Sequence, residues 1–506
     1  MKIREVALEN FRSYKDRISV TVGKLTVFVG QNDIGKSTIL EALDVFLNEK
    51  EAVSKIEKDD VNKHAEKTGD TEIKISVVFE GIPDELTIDS TNFTTLRDEF
   101  LLNKDGNLEI IKKYPNGGTA KVFVKALHPT NPKCAELLLL KQTELKKLLT
   151  DEMVCKDKTK NAEIRRAIWG HHSNDLNLQE IEIELAKFEA KNSWDQLKRY
   201  LPVFALFQSD RKNSDGDAEI QNPMKFAVQE ILKDESLVEA LNLVANEVEK
   251  KLGDVATRTL NKLKDMNPEI AKQLVPIIPK PENLKWMDVF KNVSISTDED
   301  ILINKRGSGV KRLVLLNFFR AEAERRRDDS KTADIIYAIE EPETSQHPKH
   351  QRMLVEALKE LAQSQSTQVL MTTHSPSIVK LLEFENLRLI INEKTKDIVS
   401  VNKKELPYPS LNEINFLAFG ESDEEYHNEL YAHIELSGWF DEFKTGRTTL
   451  PYIRDRNGTK VTEQKILSEL IRHQIHHPEN TYNKKYSDGD LQKSISEMRT
   501  FIESKV

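Results

Sequence analysis

With 506 residues the chain is too long for one ordinary core, so two or three structural units are expected. Charged side chains make up 31% of it and the formal net charge is −9, which argues against one large basic nucleic-acid clamp and leaves room for a local basic groove. Cys134 and Cys155 fit neither a metal-ligand spacing nor a disulfide framework, no apolar run reaches membrane-spanning length, and the first residues carry no signal-peptide pattern, so a soluble cytoplasmic protein is expected.

Residues 2–10 alternate apolar and polar and predict a strand. Asn10-Phe11-Arg12-Ser13-Tyr14 follows, then a second strand near 18–22. Arg12 either reaches a ligand from that turn or is a surface arginine after a strand. Val27-Phe28-Val29 enters Gly30-Gln31-Asn32-Asp33-Ile34-Gly35-Lys36-Ser37-Thr38, and an apolar helix follows. Gly30, Gly35, Lys36 and Ser37 have the spacing and setting of a nucleotide-phosphate loop. Glycines let the backbone N–H groups face phosphate, and the helix start adds a favourable dipole. Lys36 offers a positive charge to the β- and γ-phosphates, and the Ser37 hydroxyl is a Mg²⁺ ligand.

Residues 48–70 are highly charged and read as a solvated loop or loose helix, and 71–79 as a strand leaving the nucleotide unit. Between about 85 and 285 the texture turns Leu-, Glu-, Lys- and Ala-rich. Helices are expected at 136–150, 162–169, 179–198 and 224–266, the first and last pairing as an antiparallel arm. Within this stretch, 201–207 reads as a buried strand emerging at a polar edge. Strands are expected between 288 and 304. Gly307-Ser308-Gly309 then opens an apolar helix, an anion-binding arrangement favoured here over a plain turn and cap. The apolar run 335–339 ends in Glu340-Glu341-Pro342-Glu343. Glu340 is assigned to Mg²⁺ and Glu341 to the attacking water. A further buried strand, 368–373, ends at His374, read as a γ-phosphate contact, and a hairpin at 387–401 closes the unit.

In this order, these stretches resemble the ABC-type ATPases of the RecF/SMC group, most closely the OLD-like ATPases of bacterial phage-defence systems. The resemblance covers roughly 1–85 and 285–405. By it, Asn10–Tyr14 is the first-strand motif whose arginine contacts phosphate. Gly30 to Ser37, with Asn32 and Thr38, is Walker A, Ser308 and Gly309 belong to a signature motif, Glu340-Glu341 is Walker B, and His374 is the switch histidine. It implies an α/β, ABC-type P-loop ATPase head (1–85 and 285–405) with an inserted helical arm (86–284) and a small, mainly α C-terminal domain (406–506). It also implies ATP and Mg²⁺ as cofactors. In this group the signature serine reaches the nucleotide of the other protomer, so ATP is the glue of a head dimer. No Q-loop equivalent is assigned.

OLD nucleases carry a TOPRIM domain at the C-terminal end. Asp488-Gly489-Asp490 has its letters but opens a helix instead of ending a strand, so a built-in TOPRIM nuclease is not expected. A capped helix at 422–431, a hairpin around Asn457-Gly458, and helices at 462–475 and 488–502 are expected instead. Arg472 and His477 have the spacing of a HEPN ribonuclease motif, or form a polar cluster ending a helix. The leading expectation is an ATP-hydrolysing regulator of a defence system with a separately encoded nuclease or toxin, as in Septu, PARIS and retron-associated systems. The alternatives are an ATPase-gated ribonuclease and a RecF-like DNA-repair ATPase.

Overall fold

The computed structural model describes residues 1–49, 52–83, 86–89, 92–185, 194, 197–208, 231–232, 234–266, 317, 319, 321, 334–344, 347–392, 396–400, 408–456 and 459–505. One sheet is wholly antiparallel. It contains β1 (Lys2–Glu9), β2 (Ile18–Thr21), β4 (Glu72–Glu80), β7 (Leu108–Pro115), β8 (Lys121–Pro129) and β9 (Leu178–Glu184), in the order β2-β1-β4-β7-β8-β9. A separate hairpin, β5 (Leu86–Asp89) and β6 (Asn92–Thr94), lies between β4 and β7 in the chain.

The second sheet contains β3 (Leu25–Val29), β10 (Val203–Phe207), β11 (Ile335–Glu340), β12 (Thr367–Thr373), β13 (Leu387–Asn392) and β14 (Lys396–Ser400), in the order β10-β11-β12-β3-β13-β14. All its pairings are parallel except β13 with β14. Parallel strands are covered on both faces, which is why β3 and β12 read as unbroken buried runs. Helix α1 (Lys36–Asn48) is clamped between the sheets. Its Ile39, Leu40, Leu43 and Phe46 share a core with Ile75 and Val77 of the first sheet and Phe204 and Ile336 of the second. Each such side chain contributes ~1.5–3 kcal/mol on burial.

A short helix, α2 (Lys63–Lys67), precedes β4. Helices α3 (Gln142–Leu148) and α4 (Asn161–His171) lie between β8 and β9, and α5 (Glu235–Met266) follows β10. The outer face of the second sheet is covered by α6 (Pro348–Gln363) through Leu354, Val355, Leu358 and Leu361. A single turn, α7 (Pro376–Val379), and α8 (Leu411–Phe419) join that core through Ile378, Val379, Ile414 and Ala418. The last unit comprises α9 (Glu424–Leu436), α10 (Phe440–Lys444), the hairpin β15 (Thr449–Arg456) and β16 (Thr459–Ile466), α11 (Leu467–His476) and α12 (Asp488–Glu503). Leu430 and Ile434 of α9, Ile471 of α11 and Ile495 and Met498 of α12 form its own core.

Four expectations change. Residues 178–184 form an edge strand where a helix was expected from 179. Ile181 and Ile183 alternate with Glu180, Glu182 and Glu184, and two of the acids pair with lysines of the same sheet: Glu180 with Lys125 of the adjacent β8 at 3.3 Å, and Glu182 with Lys113 of β7, one strand further in, at 2.5 Å. The inserted region is therefore not simply a helical arm: β7, β8 and β9 extend the first sheet, while β10 belongs to the nucleotide sheet. The stretch 136–150 breaks into a turn and the seven-residue α3, which packs on α4 and is too short to be an arm limb. Lastly, 462–466 continues β16 as an extended partner of 449–453, so α11 starts later than expected. The expected strands at 288–304 lie outside the described residues.

Candidate nucleotide site

The parallel strands end at one edge of their sheet, where the chemistry-bearing residues collect. β3 runs into Gly30 and the phosphate loop, β11 ends at Glu340, β12 leads to His374, and β10 leads to Gln208. A cleft of about 640 Å³ opens there, lined by Arg12, Asn32, Gly35, Lys36, Ser37, Thr38, Gln208, Glu340 and Glu341 among others.

Loop geometry explains the glycines. Gly35 has φ +107°, and a Cβ there would stand 2.8 Å from Ser13 Oγ and 3.1 Å from the Tyr14 hydroxyl oxygen. Tyr14 in turn donates from its hydroxyl to the Gly35 carbonyl at 3.1 Å. A Cβ on Gly30 would lie 3.0 Å from Ile34 Cγ2 and 3.2 Å from the Ile390 carbonyl oxygen. Lys36 is almost fully buried. Its Nζ donates to the carbonyls of Gly30 (3.0 Å) and Gln31 (2.8 Å) and lies 3.9 Å from Glu341 Oε1. Burial pushes its pKa down, opposed by Glu341 and then Glu343.

The acids converge from the other side. Glu340 accepts a hydrogen bond from the Ser37 hydroxyl and another from Gln208. Burial raises its pKa, and Glu41 and Glu341 add to the rise. Glu341 sits at φ +41°, a left-handed conformation unusual for a non-glycine and disfavoured before Pro342. Two bonds hold its N–H: to the Thr372 carbonyl at 3.2 Å and to Thr372 Oγ1 at 3.1 Å. His374 Nδ1 is 3.1 Å from Glu341 Oε1. Strained backbone of this kind clusters at functional sites. Ser37 beside Glu340, with Glu41 and Glu341 crowding it, is a hard-oxygen donor set that suits Mg²⁺. Among the described residues no group of three His, Cys, Asp or Glu side chains is arranged to hold a metal unaided.

Residues 1–379 match the AAA ATPase domain family. The chain belongs to that family. Its head is an OLD-like, ABC-type P-loop ATPase. This AAA ATPase is 24% identical over 412 residues to endonuclease GajA of Bacillus cereus (strain VD045), covering 79% of the chain and 59% of GajA. It is 26% identical over 156 residues to the OLD nuclease of Thermus scotoductus (strain ATCC 700910 / SA-01), covering 28% of each. The chain thus spans less than two thirds of either relative's length. Among solved structures, an Smc head domain derived from Pyrococcus furiosus, bound to the C-terminal domain of ScpA, has a TM-score of 0.40 at 12% identity, covering 80% of this chain and 97% of that one.

The ATPase places Arg12 at the cleft mouth, with φ +49°, its Nη1 2.7 Å from Glu41 Oε2 and its Nε 2.7 Å from Asp60 Oδ1. The charged segment 57–62 therefore buttresses the Arg12 turn, and Phe11 bridges Val61. Gln208 is the residue that sequence reading missed. Its signal was present, a polar residue directly after the buried run 203–207, but nothing in the sequence set it beside Glu340. Ser308 and Gly309 lie outside the described residues. Arg472 and His477 take different partners: Arg472 pairs with Glu435 Oε2 at 2.6 Å and lies over the Tyr431 ring, whereas His477 meets Glu479 Oε1 at 3.1 Å and stacks with His473. In the Asp488-Gly489-Asp490 stretch, Asp490 caps α12 with Ser487.

Proposed function

We propose that this ATPase is the ATP-driven regulator of a cytoplasmic anti-phage defence complex. Two heads close over shared nucleotides, and the C-terminal unit, residues 406–506, passes the closed or open state to a separately encoded nuclease or toxin. In this reading Arg12, Lys36 and the N–H groups of the Gly30–Thr38 loop bind the phosphates. Ser37 and Glu340 hold Mg²⁺, which neutralises phosphate charge when bound. Glu341 takes the proton of the attacking water, and His374 contacts the γ-phosphate.

The tie between the switch loop and the C-terminal unit carries the proposal. Helix α7 begins two residues after His374. Just beyond it, Lys380 Nζ donates to Asp423 Oδ2 (3.0 Å) and Glu425 Oε2 (2.7 Å) at the start of α9. Asn415 Nδ2 of α8 donates to the Pro376 carbonyl at 3.2 Å. A displacement of the His374 loop is therefore felt where an effector would dock. The likeness to endonuclease GajA supports the defence setting.

The test uses two variants and light scattering. With ATP and Mg²⁺, Glu341→Gln should run as a dimer or larger and capture the product of a neighbouring effector gene, whereas Lys36→Ala should do neither. A mass that ignores nucleotide would overturn the proposal. RNA cleavage by the purified protein alone, lost on His477→Ala, would replace it with the ribonuclease reading.

A further inference from the structure

The acidic tip of β11 carries another carboxylate, Glu343, to which the assignments above give no role. It is 4% exposed. Its Oε1 accepts from Thr373 Oγ1 at 2.7 Å and from the His374 N–H at 3.1 Å, so it ties the end of β11 to the end of β12. Its backbone carbonyl accepts from Gln351 Nε2 of α6 at 3.2 Å, fixing it from behind. Oε2 is buried without a hydrogen-bond partner among the described residues. The His374 ring stands between two carboxylates, with Nδ1 3.1 Å from Glu341 Oε1 and 3.6 Å from Glu343 Oε1. The longer separation exceeds hydrogen-bond length, so Glu343 acts on the backbone and the Thr373 side chain, not on the ring directly.

We propose that Glu343 is a positioning residue for ATP hydrolysis: its buried carboxylate fixes the end of β12 so that the His374 ring meets Glu341 on one side and the γ-phosphate on the other. A buried carboxylate is costly unless its acceptors are used. Here one oxygen receives two donors from the end of β12 and the residue after it, and among the described residues no cation pairs with it at bonding distance. The inference rests on the reading of His374 as a phosphate contact.

The experiment is a double-mutant cycle on turnover. His374→Ala should lower kcat; if it does not, the reading of His374 fails together with this inference. Glu343→Ala should lower kcat roughly 10- to 100-fold, the cost of an ångström-scale misplacement. Its KM and its affinity for a fluorescent ATP analogue should stay within about twofold of the parent, because ground-state binding is untouched. In the His374→Ala background the same substitution should have no further effect, since Glu343 works through that ring. Glu343→Gln keeps an acceptor for both donors and should retain about half of kcat or more. Thr373→Val, which keeps shape and removes one donor, should reproduce part of the loss without relying on a variant that leaves a cavity. Additive losses in the double mutant, or full turnover in Glu343→Ala, would overturn the inference and leave the His374 reading standing.

Discussion

At the scale of single residues, backbone conformation and protonation decide what the site and the C-terminal core can do. Gly35 needs its glycine for two independent reasons, a φ of +107° and the Ser13 hydroxyl 2.8 Å from any Cβ. Glu341 adopts φ +41° with no such licence, held by Thr372. The identities of both residues were legible, since loop spacing and acids after an apolar strand carry a chemical reason; the strain at Glu341 was not, because it comes from β12. His427 shows the same division. Fully buried on α9, its Nε2 faces Ser494 Oγ at 3.0 Å, and burial pushes its pKa down to about 4, with Arg472 adding to the shift. A histidine whose folded pKa is depressed contributes its full stability above its unfolded value of about 6.5. That contribution falls away toward pH 4, by up to about 3 kcal/mol. The resistance of the C-terminal unit to urea should therefore fall between pH 7 and 4.5, and His427→Gln should flatten the slope. An unchanged slope would remove His427 as its cause.

Among elements, the legible ones are those with a single consistent period. β1, β3, β11, β12 and α12 fall where alternation, unbroken apolar runs or helical spacing put them. The misread ones carry conflicting signals. Residues 178–184 have the Glu and Leu of a helix, yet their Ile-Glu alternation prevails once Lys125 of the adjacent β8 and Lys113 of β7 lie within reach in the same sheet. Those lysines are more than 50 positions away, so no local window contains the deciding partner. The packing of α8 against α12 is likewise made of distant pairs. Glu413 of α8 is fully buried and forked by Arg499 of α12, with Arg499 Nη2 to Glu413 Oε1 at 2.6 Å, and the Tyr426 hydroxyl donates to the same carboxylate. Removing the cation strands a buried charge, which costs ~3–5 kcal/mol. Arg499→Ala should lower the denaturant midpoint of the C-terminal unit accordingly, and combining it with Glu413→Leu should recover most of the loss. A drop under 1 kcal/mol would mark the pair as no better than a surface one.

For the whole molecule, the proposed unit of function is two copies. If two heads share their nucleotides as proposed, turnover depends on encounter. Specific ATPase activity should therefore rise with protein concentration until dimers dominate, and added Lys36→Ala protein should depress it by forming half-competent pairs. Concentration-independent turnover would remove the shared site. The sequence by itself determined the nucleotide chemistry of this protein, since the phosphate loop and the acidic strand end each need particular residue types at fixed local spacing. Tertiary structure alone decided which strands share a sheet, that Gln208 meets Glu340, that Arg472 pairs with Glu435, and that Lys380 joins the segment after His374 to α9. Those facts depend on pairings between segments far apart in the chain, whose free energy comes from burial and charge across the assembled core, beyond any pattern within one segment.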